Sequence, residues 1–288
     1  FQAEDGIRDC LLSRGLGDVY KRQTKFNNFK LLLTIDFEEQ RRLEKAGFPK
    51  EAIEESLIGT YQIVELFEKL GIKATWFTTA AIGLADTKIF KRLVASGQEI
   101  ALHALHDRDD YNKMSEDKAR KRIQKAKDIV ESISGQKTVG FRAPRFQHPS
   151  LKVIKDLGFK YDSSLHPSPM PGRYSGKGKL VPHVDEESGL TVLPVSVVPG
   201  LRLPLSWIWF RMLPKGYMRW GASLVEANFD YLCLYFHPWD FVDLSKYKSS
   251  FPAGFTVGGK SAINDMEDFL KWGLEKGWKS MTIQDYLD

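Results

Sequence analysis

An α/β fold, a distorted (β/α) barrel of about seven units, is what this sequence predicts, and three observations carry the prediction. Short apolar runs alternate with longer segments of helical period from residue 28 onward. Helical segments close on glycine, as at Gly71 and Gly97. The ionisable residues able to do chemistry fall just after the apolar runs: Asp36 and Glu38, His103 and His106, Arg142, His237. In a parallel barrel those positions share one face, so residues distant in sequence meet at its mouth.

Taken in order, "FKLLLTI" (29–35) has the apolar run of a buried strand. The segment 51–71 follows, with Ile53, Leu57, Tyr61, Val64 and Leu70 marking one helix face. Strand "KATWFTT" (73–79), a helix across 86–96 and strand "EIALH" (99–103) continue the alternation. The basic stretch 113–127 places Ile123, Ala126 and Val130 at helical spacing, so its lysines and arginines read as the solvated face of an amphipathic helix. Strand "TVGFR" (138–142), helix 150–158 and a short "FKYD" (159–162) come next. Beyond a Pro/Gly-rich excursion (166–204) lie strand "TVLPVSV", an aromatic-rich region, strand "YLCLYF" (231–236), a helix over 262–276 and "KSMTI" (279–283).

The composition, 42% hydrophobic and 27% charged, is that of a globular chain. No apolar stretch approaches the roughly 20 residues that span a bilayer. "LPLSWIWFRML" (203–213) is interrupted by Arg211 and reads as a buried or amphipathic segment. The net charge of +5 comes with no recognition motif and no interleaved aromatics, so nucleic acid is not an expected partner. Cys10 and Cys233 form no disulfide framework, and Cys233 within "YLCLYF" reads as a buried thiol. Residues 1–23 lack a sustained period or a signal-peptide core; they resemble translated adapter sequence and are expected to be a non-native leader to a catalytic domain at 24–288. A cytoplasmic location, or one on the cytoplasmic side of a membrane, is the expectation for the remainder.

Asp36 and Glu38 stand two apart, so in a regular pleat both point to one side. One carboxylate on a metal and one free to take a proton from water is the division of labour that hydrolysis needs. Two histidines, His103 and His106, with one carboxylate would leave a zinc-like ion an open position for water. Arg142, after a strand and before Pro144, could hold a carboxylate through paired hydrogen bonds. His237, braced by Pro238 and Trp239, could protonate a leaving amine. His148, His166 and His183 sit in Pro-rich loops, where turn or surface roles are expected.

These residues resemble the polysaccharide deacetylase, or NodB-homology, family of metal-dependent carbohydrate esterases. "TIDFE" stands where that family has Thr-Phe-Asp-Asp, "HALHD" at its paired histidines and "FRAPRF" at its Arg-x-Pro motif. "YDSSL" and "LYFHPWD" follow in the family's order, from about residue 30 to the end of the chain. "SSLHPSPMPGRY" and "LPVSVVPGLRLPLSW" resemble a subgroup associated with cell-envelope and exported polysaccharides. The resemblance implies a NodB-type barrel, a divalent cation (zinc) and removal of N-acetyl groups from the amino sugars of a carbohydrate substrate. It implies Asp36 as general base, Arg142 as its orienting partner and His237 as acid. It further implies the backbone N–H of Arg145 as an oxyanion donor, and Glu38, His103 and a further side chain on the metal. Two features depart from the family: Phe37 separates the carboxylates, and His106 follows His103 by three residues where four is usual, leaving Asp107 at the fourth. Imidazole chemistry favours His106 as the ligand, with Asp107 in a supporting place. Two other readings keep the fold: a C–N hydrolase of a small amide, ureide or lipid-linked formamido sugar, and a non-catalytic glycan-binding protein using Trp207, Trp209, Phe210, Tyr217 and Trp220.

Overall fold

The computed structural model describes residues 29–170, 174–206, 208–251 and 260–288. The expected leader, Cys10 and Trp207 lie outside the described residues. Nine strands form one curled sheet: β1 (Lys30–Phe37), β2 (Ala74–Thr79), β3 (Glu99–Ala104), β4 (Gly140–Phe141), β5 (Tyr161–Asp162), β6 (His183–Val184), β7 (Thr191–Val192), β8 (Tyr231–Phe236) and β9 (Lys279–Ser280). The order is β8-β1-β2-β3-β4-β5-β7-β6, with β9 beside the start of β1. All pairings are parallel except β6 with β7.

Strand alternation sorts the side chains into two layers. In β1, Leu31, Leu33, Ile35 and Phe37 face outward into the core beneath the helices, whereas Leu32 joins the inner cluster. Thr34 and Asp36 share the parity of Leu32, and Glu38 continues it. β8 repeats the division, with Leu232, Leu234 and Phe236 outward and Tyr231, Cys233 and Tyr235 inward. Phe37 therefore separates Asp36 from Glu38 because it is a core residue of the outer layer.

The outer layer is made of α1 (Pro49–Leu70), α2 (Thr87–Ala95), α3 (Glu116–Ser134), α4 (Leu151–Asp156), α5 (Lys215–Asn228), α6 (Lys260–Glu275) and the short α7 (Ile283–Leu287). Their boundaries follow local chemistry. Pro49 opens α1 and Gly71, at φ 66°, closes it. Asp86 caps α2 by accepting from the N–H groups of Lys88 and Ile89, and Ser115 caps α3. α3 buries Ala119, Ile123, Ala126 and Val130, which leaves its basic residues on the outside as the sequence predicts.

The structure departs from the sequence expectations where the chain leaves regular geometry. "TVGFR" contributes only Gly140–Phe141, because Arg142 turns into the barrel while its N–H still donates to Leu102 (3.0 Å). "TVLPVSV" stops as a strand at Val192, since Pro194 has no N–H for the ladder. The segment continues irregularly, and the Ser196 N–H donates to the Cys233 carbonyl (2.8 Å), linking the β7 side of the sheet to β8. The aromatic-rich region contains α5, whose Gly221 lies so near Leu205 that a Cβ there would stand 2.3 Å from a leucine methyl. "KSMTI" yields a two-residue strand before Thr282 caps α7.

Candidate active site

At the carboxyl ends of β1, β3, β4 and β8 the inward row continues with Asp36, Glu38, His103, Arg142 and His237, all buried. Arg142 is fully enclosed and pairs its Nη1 with Asp36 Oδ1 (2.8 Å) and Thr34 Oγ1 (2.6 Å). Its other nitrogens donate to the carbonyl and hydroxyl of Ser163 (3.1 and 2.9 Å). The rings of Phe77, Phe146 and Tyr235 surround the guanidinium. Burial opposes ionisation of Asp36, but Arg142, with His103 and His237, outweighs it and holds the carboxyl below its ordinary value.

His237 Nε2 faces Asp36 Oδ2 at 3.9 Å and Glu38 Oε1 at 3.8 Å. Its Nδ1 lies 3.3 Å from Asp240 Oδ2, which also accepts from the His237 backbone N–H (2.8 Å). Asp240 in turn pairs with Arg211 at 3.5 Å, so the "LPLSWIWFRML" segment supports this histidine from behind. Trp239 stacks on the imidazole at 4.6 Å.

His103 Nδ1 donates to the Arg142 carbonyl (2.6 Å), which leaves Nε2 as a lone pair aimed at Glu38 Oε2, 2.8 Å away. That carboxylate oxygen is buried and receives no hydrogen bond. Asp107 shares a hydrogen bond with Glu38. Burial first, then the charge of Asp36 on Glu38 and that of Glu38 on Asp107, push both carboxyls well above the ordinary range. Burial also lowers His103. An acceptor facing an acceptor, and two carboxyls in contact, are arrangements that a cation resolves.

His106 is not in this cluster, contrary to the expectation that it would join Glu38 and His103. Its ring turns outward to Glu39 Oε1 (3.2 Å), and Glu39 also accepts from Thr79 (2.7 Å). The physical reason is the loop: three residues beyond His103, the chain has turned the opposite way, and Asp107 points in. Among the described residues no group of three His, Cys, Asp or Glu side chains stands in a geometry that could hold a metal ion. The donor chemistry nevertheless fits one, because Glu38, His103 and Asp107 converge with an orphaned carboxylate oxygen between them.

Arg145 and Phe146 both occupy the left-handed region, at φ 58° and 60°, in the turn after Pro144. The turn is closed by the N–H groups of Phe146 and Gln147, not by that of Arg145. The Arg145 side chain, to which the sequence assigned nothing, reaches the carbonyls of Asp107 (2.9 Å) and Asp109 (2.6 Å). Thr34, Ser163, Asp240 and Asp109 were also missed. Three of them stand inside the quoted motifs, but nothing in their spacing announces the partner that each holds. His166 departs from the loop role expected of it: it is buried and stacked on Tyr174 at 4.2 Å.

Fold and side-chain cluster together define a NodB-homology barrel. Residues 58–161 match the family described as polysaccharide deacetylase, and residues 163–277 match a domain of unknown function, DUF3473. Over residues 58–161 the chain is similar to the polysaccharide deacetylase family. It is 28% identical over 170 residues to a peptidoglycan deacetylase-like protein of Gibberella zeae, covering 56% of this chain and 50% of that protein. The chain thus spans half or less of the curated relatives it matches. Among solved structures, one assigned as a polysaccharide deacetylase from Mycobacterium smegmatis superposes with a TM-score of 0.65 at 17% identity, covering 90% of this chain and 89% of that one. Puue allantoinase superposes at 0.67 with 14% identity over 90% and 89% of the two chains. Likeness at these identities speaks for the fold alone. No helix among the described residues is long and apolar enough to cross a membrane.

Proposed function

We propose that this chain is a metal-dependent hydrolase that removes N-acetyl groups from amino sugars of a polysaccharide or glycan intermediate. Residues 24–288 act as one catalytic unit in this reading, because β8 of the second matched segment carries the acid for a base on β1. The observation that supports it most is Asp36, held by Arg142 on one oxygen, with its other oxygen turned toward His237.

In the reaction, Asp36 takes a proton from water as the water oxygen bonds to the acetyl carbon. Arg142 keeps the carboxylate ionised and aimed. Glu38, His103 and Asp107 would hold the divalent cation, which when bound polarises the carbonyl and acidifies water. The Arg145 N–H would donate to the oxygen that gains charge. As the C–N bond breaks, His237 gives the proton on Nε2 to the departing amine, while Asp240 holds the opposite ring nitrogen and keeps Nε2 aimed at the site. Acetate and a free amino sugar leave.

Acetate release from chito-oligomers and from peptidoglycan, measured on chelated and metal-restored protein beside allantoin and simple acetamides, tests the proposal. Metal-dependent release from the glycans is the expected result. Turnover confined to the small amides would transfer the function to the ureide and amide class. Silence on every substrate by metal-loaded protein would sink the hydrolase reading.

A further inference from the structure

The β3 loop is locked by a set of bonds that have no part in the reaction. Asp109, 3% exposed, accepts from the N–H groups of Leu105 (3.2 Å) and His106 (3.4 Å) on one oxygen. Its other oxygen receives Arg122 of α3 at 2.5 Å. The Asp109 N–H closes the turn on the His106 carbonyl (3.0 Å), and Arg145 bridges the carbonyls of Asp107 and Asp109. Turning His106 inward in place of Asp107 would disturb the bonds of this brace that hold the backbone at Leu105, His106 and Asp107. His106 already has its own acceptor in Glu39. The fold therefore commits the loop to presenting a carboxylate, not a second imidazole, beside Glu38 and His103.

Oxygen donors and imidazole differ in the metals they favour. Affinity rises from manganese to zinc more steeply with nitrogen donors, while carboxylates suit the harder ions. Resting on the metal site proposed above, we propose that the cation site is a one-imidazole, two-carboxylate set, Glu38, His103 and Asp107, whose preference for zinc over manganese is narrow. Two carboxylates also neutralise a divalent ion fully, with His103 uncharged and Asp36 already balanced by Arg142. The buried Glu38 Oε2, which accepts no hydrogen bond, points into this set.

The test uses the full chain stripped of metal and titrated separately with Zn²⁺ and Mn²⁺, bound metal being read by dialysis and elemental analysis. Asp107→His should widen the zinc-to-manganese affinity ratio by about tenfold or more. His106→Ala should leave both affinities within about twofold. An unchanged or smaller ratio in Asp107→His, or loss of binding in His106→Ala, overturns the inference. Should Asp107→His fail to fold by circular dichroism, Asp107→Ala decides: loss of manganese affinity by roughly 100-fold supports it, and unaltered affinity overturns it. Wild-type protein that binds neither metal overturns both this inference and the metal dependence of the proposed reaction. Metal binding with the expected ratios but without acetate release upholds the inference and sinks the deacetylase reading alone.

Discussion

At the scale of single residues, the site turns on which groups keep their charge. Asp36 and Arg142 form a buried pair at 2.8 Å, with the guanidinium further tied to Thr34 and Ser163. Removing one member of such a pair strands the other. Arg142→Met is expected to destabilise the protein by about 3–5 kcal/mol, read from urea denaturation. Arg142→Lys should lose less stability but still most of the activity, because a single ammonium cannot span both neighbours. Asp36→Asn tests the proposed division between base and ligand. It should retain bound metal, by elemental analysis, while turnover falls by about 10²–10⁴-fold. Stoichiometric loss of metal in that variant would make Asp36 a ligand and displace Glu38 from the role given to it.

Among the elements, α1 matters more than its distance in sequence from the site suggests. It packs Gly59 against the turn that follows His237, where a Cβ would stand 1.9 Å from the Pro238 carbonyl oxygen. Gly59→Ala must therefore push either the helix or the turn at Pro238. A loss of about 1–3 kcal/mol in stability is expected, accompanied by a larger fractional loss of activity than stability alone explains. Gly135, which ends α3 at φ +69° with nothing within 4 Å of its absent Cβ, is the control. Gly135→Ala should cost about 1 kcal/mol in backbone strain and leave the rate per folded molecule unchanged. Paired thermal melts and initial rates distinguish the two, and equal rates in both variants would dissolve the proposed link between α1 and His237.

Across the whole molecule, the opposite end of the barrel is sealed by a second polar cluster. Glu99 accepts from Thr75 (2.7 Å), Tyr161 (2.7 Å) and the Gln284 N–H (3.1 Å), joining β2, β3, β5 and α7. Burial raises its carboxyl above the ordinary 4.5, against the lowering effect of those bonds. The folded state thus binds this proton more tightly than the unfolded chain does. Stability from Glu99 is full below pH 4.5 and is lost as pH climbs through the raised value. Glu99→Gln should flatten that fall, and unfolding free energies compared at several pH values above 4.5 provide the check. A wild-type slope identical to that of the variant would show that other carboxyls carry it.

The sequence by itself determined the alternation of elements, the parity of β1 that sends Asp36 and Glu38 to one side, and the meeting of His103, Arg142 and His237 at one barrel end. Those features follow from short-range rules: the period of strands and helices, and the parallel direction that α/β connections impose. Only the tertiary structure decided which side chain after His103 turns inward. That choice rests on Asp109, Arg122 and Arg145, which come from the loop, α3 and the β4 turn, and whose contacts no local pattern records. The same holds for Asp240 behind His237 and for Ser196 joining the sheet to β8. α5 stayed hidden because its aromatics and glycines weaken the helical signal, and packing of Gly221 against Leu205 explains why a glycine belongs there. Periodicity is written along the chain, whereas an ionisable side chain takes its orientation from partners that only folding brings within reach.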